Sequence, residues 1–344
     1  MTSKQEKRPL ITIGILAYNT EIYIERCLHS VFHQNYDNIE LIIAYTESND
    51  NTYIVLHEVL KSSPFRYKII KSDENQLGPG PSRNIILKEG VGDYLFFLDS
   101  DDTISESCIV TLLENSLKHK LDLVCGSHVS ISENGKILKE FKFPETRLFD
   151  GENLLEYIHL NINSFPIYCW NKLYNYHLLR EAKITFTQNF AEDELFVYKV
   201  LLKISRSMIV KNLTLNYLIR GDSLTKKTQL DKTNKSTAEA YLEIRDYKFL
   251  SLTKSKILHY AIVIDAYFTF FVLANRDILR SSVIKDNYKL EFQNYSFESP
   301  TIPIRHFLRL AILKPTKTSL YIFTRFIPNS FIRLAIAFYH RRKS

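Results

Sequence analysis

A chain of 344 residues exceeds one small domain and falls short of three. Its 45% hydrophobic and 24% charged residues exclude wholesale disorder, and only 9 Gly and 10 Pro exclude collagen-like and low-complexity classes. The net charge of +7 gathers at one end: from residue 300 onward stand nine Lys and Arg and no acid, leaving residues 1–299 at −2.

In chain order, the first 130 residues alternate short apolar runs with runs of helical period. Leu10–Leu16, Ile39–Ala44, Tyr67–Ile70, Tyr94–Leu98 and Leu121–Cys125 read as strands by length and by β-branched and aromatic content. Between the first two, Ile24, Cys27, Leu28 and Val31 fall on one helical face, with Thr20 as the expected N-cap. Pro81 suits the first position of a later helix. Alternating strands and helices predict an α/β layer with a mostly parallel sheet, whose ligands bind beyond the carboxyl ends of its strands. Residues 151–229 carry further helices, one from Glu192 to about Ile204, then a strand-like Leu213–Ile219. From about 230 the chain turns to helices rich in Tyr, Phe, Ile and Lys. The expected organisation is therefore a domain over 1–229 and a basic helical region over 230–344.

Four cysteines without a C-x-x-C pair read as isolated thiols of a reducing compartment. The polar N-terminus lacks an apolar signal region, so a cytoplasmic protein is expected. The apolar stretch Ile257–Ala274 carries His259 and Asp265. A mid-bilayer Asp costs about 2.5–3.5 kcal/mol, which favours a buried helix over a membrane span.

Polar clusters close the expected strands: Tyr18-Asn19 after the first, Thr46–Asp50 after the second, and Asp99-Ser100-Asp101-Asp102 after the most apolar run. Neither a G-x-G-x-x-G nor a Walker sequence opens a helix. Asp99 and Asp101, two apart at a strand end, can share a hard divalent cation that takes its other ligands from water and a diphosphate. A solvated turn is the competing reading. Glu192-Asp193-Glu194 reads by itself as a charged first helical turn favoured by the macrodipole. Arg83 could bind a diphosphate or be solvated, and Trp170 could stack on an acceptor sugar or belong to the core.

The ordered run ITIGILAYN, IELIIA, PSRN, GDYLFFLDSDD, then WNKLY at Trp170–Tyr174 and AEDELF at Ala191–Phe196, resembles bacterial family 2 glycosyltransferases over about residues 10–225. The resemblance implies the GT-A fold and an inverting transfer from a nucleotide-sugar. It implies Mn2+ or Mg2+ on Asp101 with Asp99 beside it, and Asp193 as base with Glu192 adjacent. It further implies a donor site touched by Tyr18, Arg83, Asn84, Asp99 and Arg220, the last opening a loop that folds over the nucleotide. Where this family usually has an Asp-Asp-Gly-Ser stretch that reads uracil, this chain has Tyr45-Thr46-Glu47-Ser48. Glu47 or Asp50 could replace that contact, or Tyr45 could stack on the base. UDP is the family's commonest donor nucleotide.

The tail from Pro300 sets Ile304, Phe307, Leu308, Ala311 and Ile312, then Phe331, Leu334, Ala335 and Phe338, at helical spacing among basic residues. This pattern predicts helices on an anionic membrane surface, peripheral on the inner face of the membrane; a basic cap on the catalytic domain is the alternative. The near-neutral body offers nucleic acid no footprint. The expected activity is sugar transfer to a glycan or lipid-linked acceptor in surface polysaccharide synthesis, capsule or lipopolysaccharide. A catalytically silent glycan-binding or scaffolding module and a nucleotidyltransferase are the rivals.

Overall fold

The computed structural model describes residues 8–72, 78–151, 153–160, 166–187 and 192–220. The elements run β1 (Ile11–Ala17), α1 (Ile24–Phe32), β2 (Ile39–Tyr45), α2 (Thr52–Leu60), β3 (Arg66–Lys71), α3 (Pro79–Glu89), β4 (Tyr94–Asp99) and β5 (Thr103–Ile104). They continue α4 (Cys108–His119), β6 (Leu123–Ser132), β7 (Ile137–Phe141), β8 (Arg147–Asp150), α5 (Asn153–Leu160), β9 (Lys172–Asn175), α6 (Tyr176–Glu181), α7 (Glu192–Leu201) and β10 (Arg206–Ile219). The chain divides into two compact units. The first comprises Met1–Leu154, Pro166–Gln188 and Glu192–Ser223; the second lies, apart from residues 155–160, outside the described residues. The expected division at 229/230, the stretch 257–274 and the basic tail also fall outside them.

The sheet of the first unit runs β3-β2-β1-β4-β9-β6-β10-β5, with β7 on β6 and β8 on β10. β3, β2, β1 and β4 are parallel, whereas β9 is antiparallel to both β4 and β6. β1 and β2 are buried on both faces, which is why both read as near-continuous apolar runs. Because β2 and β3 build to one side of β1 and β4 to the other, the order reverses between β1 and β4. Ligand crevices of such sheets open at that point, beyond the carboxyl ends. The register places Tyr45 opposite Ala17 and Asp99 opposite Leu16, so the polar clusters after β1, β2 and β4 share one edge.

On α1 the stripe Ile24, Cys27, Leu28 and Val31 is fully buried in the core, as the period predicts. Burying aliphatic side chains of this size is worth about 1.5–3 kcal/mol each. Thr20 does not cap this helix with its side chain. Its carbonyl accepts from the Tyr23 and Ile24 N–H groups at 2.9 Å, so α1 begins a turn later. α3 likewise begins at Pro79 rather than Pro81, behind Gly78 at φ 118°, a left-handed backbone that favours glycine. A Cβ on Gly80 would collide with the Thr187 carbonyl, so a glycine there lets α3 approach the 184–187 segment.

Candidate active site

Arg83 is the centre of the site. It is 4% exposed on the first turn and a half of α3. Its Nη1 donates to Glu192 Oε1 and to Asp193 Oδ1, both at 2.7 Å, and its Nη2 donates to Asp99 Oδ1 at 3.2 Å. One guanidinium thus ties the end of β4 to the start of α7, bringing carboxylates that lie 109 and 110 residues beyond it onto its own position. Burial works against its charge, but the facing carboxylates of Asp193, Asp99 and Glu192 outweigh burial and keep it protonated. Arg83 is therefore engaged inside the protein; the expected open diphosphate contact is not what its side chain presents.

Three carboxylates share that one cation, and their chemistry shows it. Burial pushes Asp99 up to about 6, with Arg83 opposing and the charges of Asp101 and Asp193 adding. Burial and the neighbouring Asp193 push Glu192 up to about 7 against the pull of Arg83. Burial raises the Cys169 thiol, with Arg83 opposing and the charges of Asp193 and Asp99 adding.

Asp101 lies in the turn after β4. Its carboxylate pairs with Arg220 Nε at 3.0 Å, and its backbone carbonyl accepts from Arg26 Nη2 at 2.7 Å. Both guanidinium groups stand over the Tyr23 ring, at 5.0 and 5.4 Å. Arg220, at the end of β10, thus stands beside the acidic turn, and the loop expected to follow it lies outside the described residues. Asp102 is wholly buried and accepts from Leu218 N at 2.8 Å, which fastens β10 to the turn.

Among the described residues no group of three or more His, Cys, Asp or Glu is arranged to hold a metal by itself. Asp99 and Asp101 nevertheless fit a hard divalent cation that draws further oxygens from a diphosphate and water. They supply oxygen donors at the sheet's carboxyl edge, where burial, and after it the neighbouring carboxylates, lift Asp99 against the pull of Arg83.

The nucleotide side is arranged differently from the expectation. Tyr45 is buried, with its hydroxyl accepting from Ser48 N at 3.3 Å and its ring against Tyr53 at 5.1 Å, so it offers no face to a base. Asp50 accepts from Glu21 N, Thr52 N and Thr52 Oγ1, which commits it to holding the two loops together. Glu47 is exposed and pairs with Lys71 at 2.5 Å, and Tyr18 is exposed after β1; both stay accessible at the edge. Asn84 spends its amide on the Phe186 backbone, donating at 2.9 Å and accepting at 2.8 Å, which makes it a positioning residue instead of a donor contact.

Trp170 is not an open platform. It is 3% exposed and sandwiched between Tyr168, at 5.0 Å and 7°, and Tyr217, at 5.3 Å and 11°. Both indole faces are covered, which corrects the expected acceptor contact. Residues missed from sequence include Asp102, Arg26, Tyr168 and Lys172. The signal for Lys172 was present: a lysine inside WNKLY, at the start of a strand with apolar neighbours.

With this geometry in view, the profile "Glycosyl transferase family 2" matches residues 12–182. Glycosyltransferase GlyA of Streptococcus pneumoniae serotype 4 is 27% identical over 223 residues, 63% of this chain and 31% of that protein. The poly(ribitol-phosphate) beta-glucosyltransferase of Bacillus spizizenii is 28% identical over 62% of this chain and 32% of its own length. The chain thus spans about a third of the length of these relatives. The crystal structure of S. aureus TarS 1-349 in complex with UDP-GlcNAc superposes with a TM-score of 0.62 at 20% identity, over 85% of this chain and 76% of that one.

Proposed function

Residues 12–182 of this chain belong to glycosyl transferase family 2, and from that premise we propose that the protein transfers a sugar from a nucleotide-sugar, a UDP-sugar foremost, to a hydroxyl of a glycan or lipid-linked acceptor. The observation that carries the proposal is the Arg83 junction, which assembles Asp99, Glu192 and Asp193 at the point where strand order reverses. The UDP-GlcNAc complex of TarS supports the donor class. The Bacillus spizizenii relative, a poly(ribitol-phosphate) beta-glucosyltransferase, supports a role in a bacterial surface polymer, with capsule and lipopolysaccharide as further members of that class.

The transfer is a single displacement with inversion. Asp193, or its neighbour Glu192, takes the proton of the acceptor hydroxyl. The freed oxygen bonds to the anomeric carbon as the bond from that carbon to the diphosphate oxygen breaks. A positioned base of this kind contributes about 10²–10⁴-fold. Arg83 holds both carboxylates in place, and Asn84 and Gly80 fix the helix that carries Arg83. Arg220 and Arg26 set positive charge beside the acidic turn, where a diphosphate would otherwise meet only carboxylates. Mn2+ or Mg2+, held by Asp101 and Asp99, would supply Lewis-acid stabilisation of the leaving diphosphate.

Calorimetry of nucleotide-sugar binding with and without Mn2+ tests this assignment. Asp101→Ala is expected to abolish the Mn2+-dependent part of donor affinity with the fold retained, because the residue sits in a turn at a strand end. Unchanged donor affinity in that variant with Mn2+ present overturns the metal site. The protein's place, in this reading, is the cytoplasm, on the inner face of the membrane. The basic, acid-free sequence from residue 300 supports it.

A further inference from the structure

The segment leading into β9 is held with unusual firmness for a surface loop. Lys172 is 1% exposed, and its ammonium donates to the carbonyls of Pro166 at 3.0 Å, Tyr168 at 2.6 Å and Trp170 at 3.4 Å. The Tyr174 hydroxyl donates to the Cys169 carbonyl at 2.8 Å. Asn171, at φ 56°, donates to the Ser127 carbonyl at 3.0 Å and accepts from Thr214 Oγ1 at 2.7 Å. Burying an ammonium is expensive and survives only with its donors satisfied. Here that arrangement fixes the loop that sets the orientation of one ring, Tyr168.

Tyr168 is the outer plate of a three-ring stack. Trp170 lies parallel beneath it, Tyr217 lies parallel beneath Trp170, and His128 meets the indole edge-on at 5.0 Å. Trp170 is buried and Tyr217 half-buried, whereas Tyr168 is 49% exposed. At the inner end, Tyr217 precedes Leu218, whose N–H donates to Asp102 of the acidic turn at 2.8 Å. Burial first, and then the charges of Asp102, Asp99 and Asp101, raise the Tyr217 phenol. Burial and Asp193 raise that of Tyr168. The Tyr174 ring, whose hydroxyl holds the Cys169 carbonyl, packs at 5.7 Å against Phe196 of α7, the helix that opens with Glu192 and Asp193. The exposed ring therefore stands at the end of the site where the acceptor proton is taken.

We propose that the outer face of Tyr168 is a sugar-ring subsite, on which a pyranose of the acceptor stacks by its C–H face with a hydroxyl directed at Asp193. An aromatic face carries negative quadrupole charge and attracts the weakly positive C–H bonds of a pyranose, while a sugar's flat side is its least polar surface. A rigid aromatic wall with convergent polar groups is the ordinary composition of a small-molecule site. The subsite rests on the transferase reading above and adds the chemical class of the acceptor's terminal unit: a cyclic sugar, in preference to an open-chain polyol.

The single Trp of the chain lies directly under the subsite, so its emission reports the occupant. The full-length protein is titrated with methyl β-glucopyranoside, methyl N-acetyl-β-glucosaminide and, as the open-chain control, ribitol. The pyranosides are expected to change Trp170 emission saturably in wild type and in Tyr168→Phe, and to bind Tyr168→Ala roughly ten-fold more weakly, the equivalent of about 1.4 kcal/mol of stacking. Emission indifferent to both pyranosides, equal response to ribitol, or wild-type affinity in Tyr168→Ala each overturns the subsite. Release of nucleoside diphosphate from nucleotide-sugars by the wild type is measured in parallel. Its absence sinks the transferase reading itself, whereas its presence beside a silent titration sinks the subsite alone.

Discussion

Asp193 and Glu192 begin α7 side by side, yet they meet different surroundings. Asp193 takes a hydrogen bond from Arg83, while Glu192 takes another from the same nitrogen and is pushed by burial and by Asp193 to about 7. An acid raised in the folded protein ionises first in the unfolded chain, so stability falls as pH climbs from about 4.5 to about 7 and stays lowered above it. Glu192→Gln cannot ionise and escapes that loss. Its stability relative to wild type should therefore rise from pH 5 to pH 8, by on the order of 1–3 kcal/mol. Denaturant melts at the two pH values measure it, and a difference that does not change with pH refutes the assigned environment of Glu192.

Three elements converge on Arg83, and their convergence is the site. α3 supplies the guanidinium, β4 ends in Asp99, and α7 opens with Glu192 and Asp193. Arg83→Ala leaves buried carboxylates without their cation, a defect that typically costs about 3–5 kcal/mol. The loss should be largest near pH 8 and shrink towards pH 5, where the stranded carboxyls can protonate. A uniform loss across that range would point to packing against Phe186, whose ring lies 5.5 Å from the guanidinium, as the larger role. At this scale the strands were legible because β1, β2 and β4 are buried on both faces and their composition says so. The site's carboxylates were legible because they close strands or open a helix. The partners were not. Asn84, Tyr45 and Trp170 carry side chains that suit ligands equally well, and only three-dimensional packing turns them inward. Thr20 and Pro81 misled for a simpler reason: a turn before α1 and a glycine before α3 each shift a helix start by a few residues, which side-chain type alone does not encode.

At the scale of the whole molecule the charge is divided, −2 over residues 1–299 and nine uncompensated cations after them. Each Lys or Arg near an anionic leaflet is worth about 1 kcal/mol. The full-length protein should therefore sediment with phosphatidylserine vesicles and not with phosphatidylcholine vesicles, and salt should weaken the attachment by screening. Indifference to anionic vesicles at low ionic strength contradicts the peripheral placement. The transferase claim stands apart from that outcome, because its residues all lie in the first compact unit. It is tested most directly by the product released from a UDP-sugar in the presence of Mn2+ and acceptor glycan, compared between wild type and Asp193→Asn. UDP is expected from the wild type, with about 10²–10⁴-fold slower release from Asp193→Asn at unchanged donor affinity. Pyrophosphate in place of UDP, or UDP released by Asp193→Asn at the wild-type rate, contradicts it.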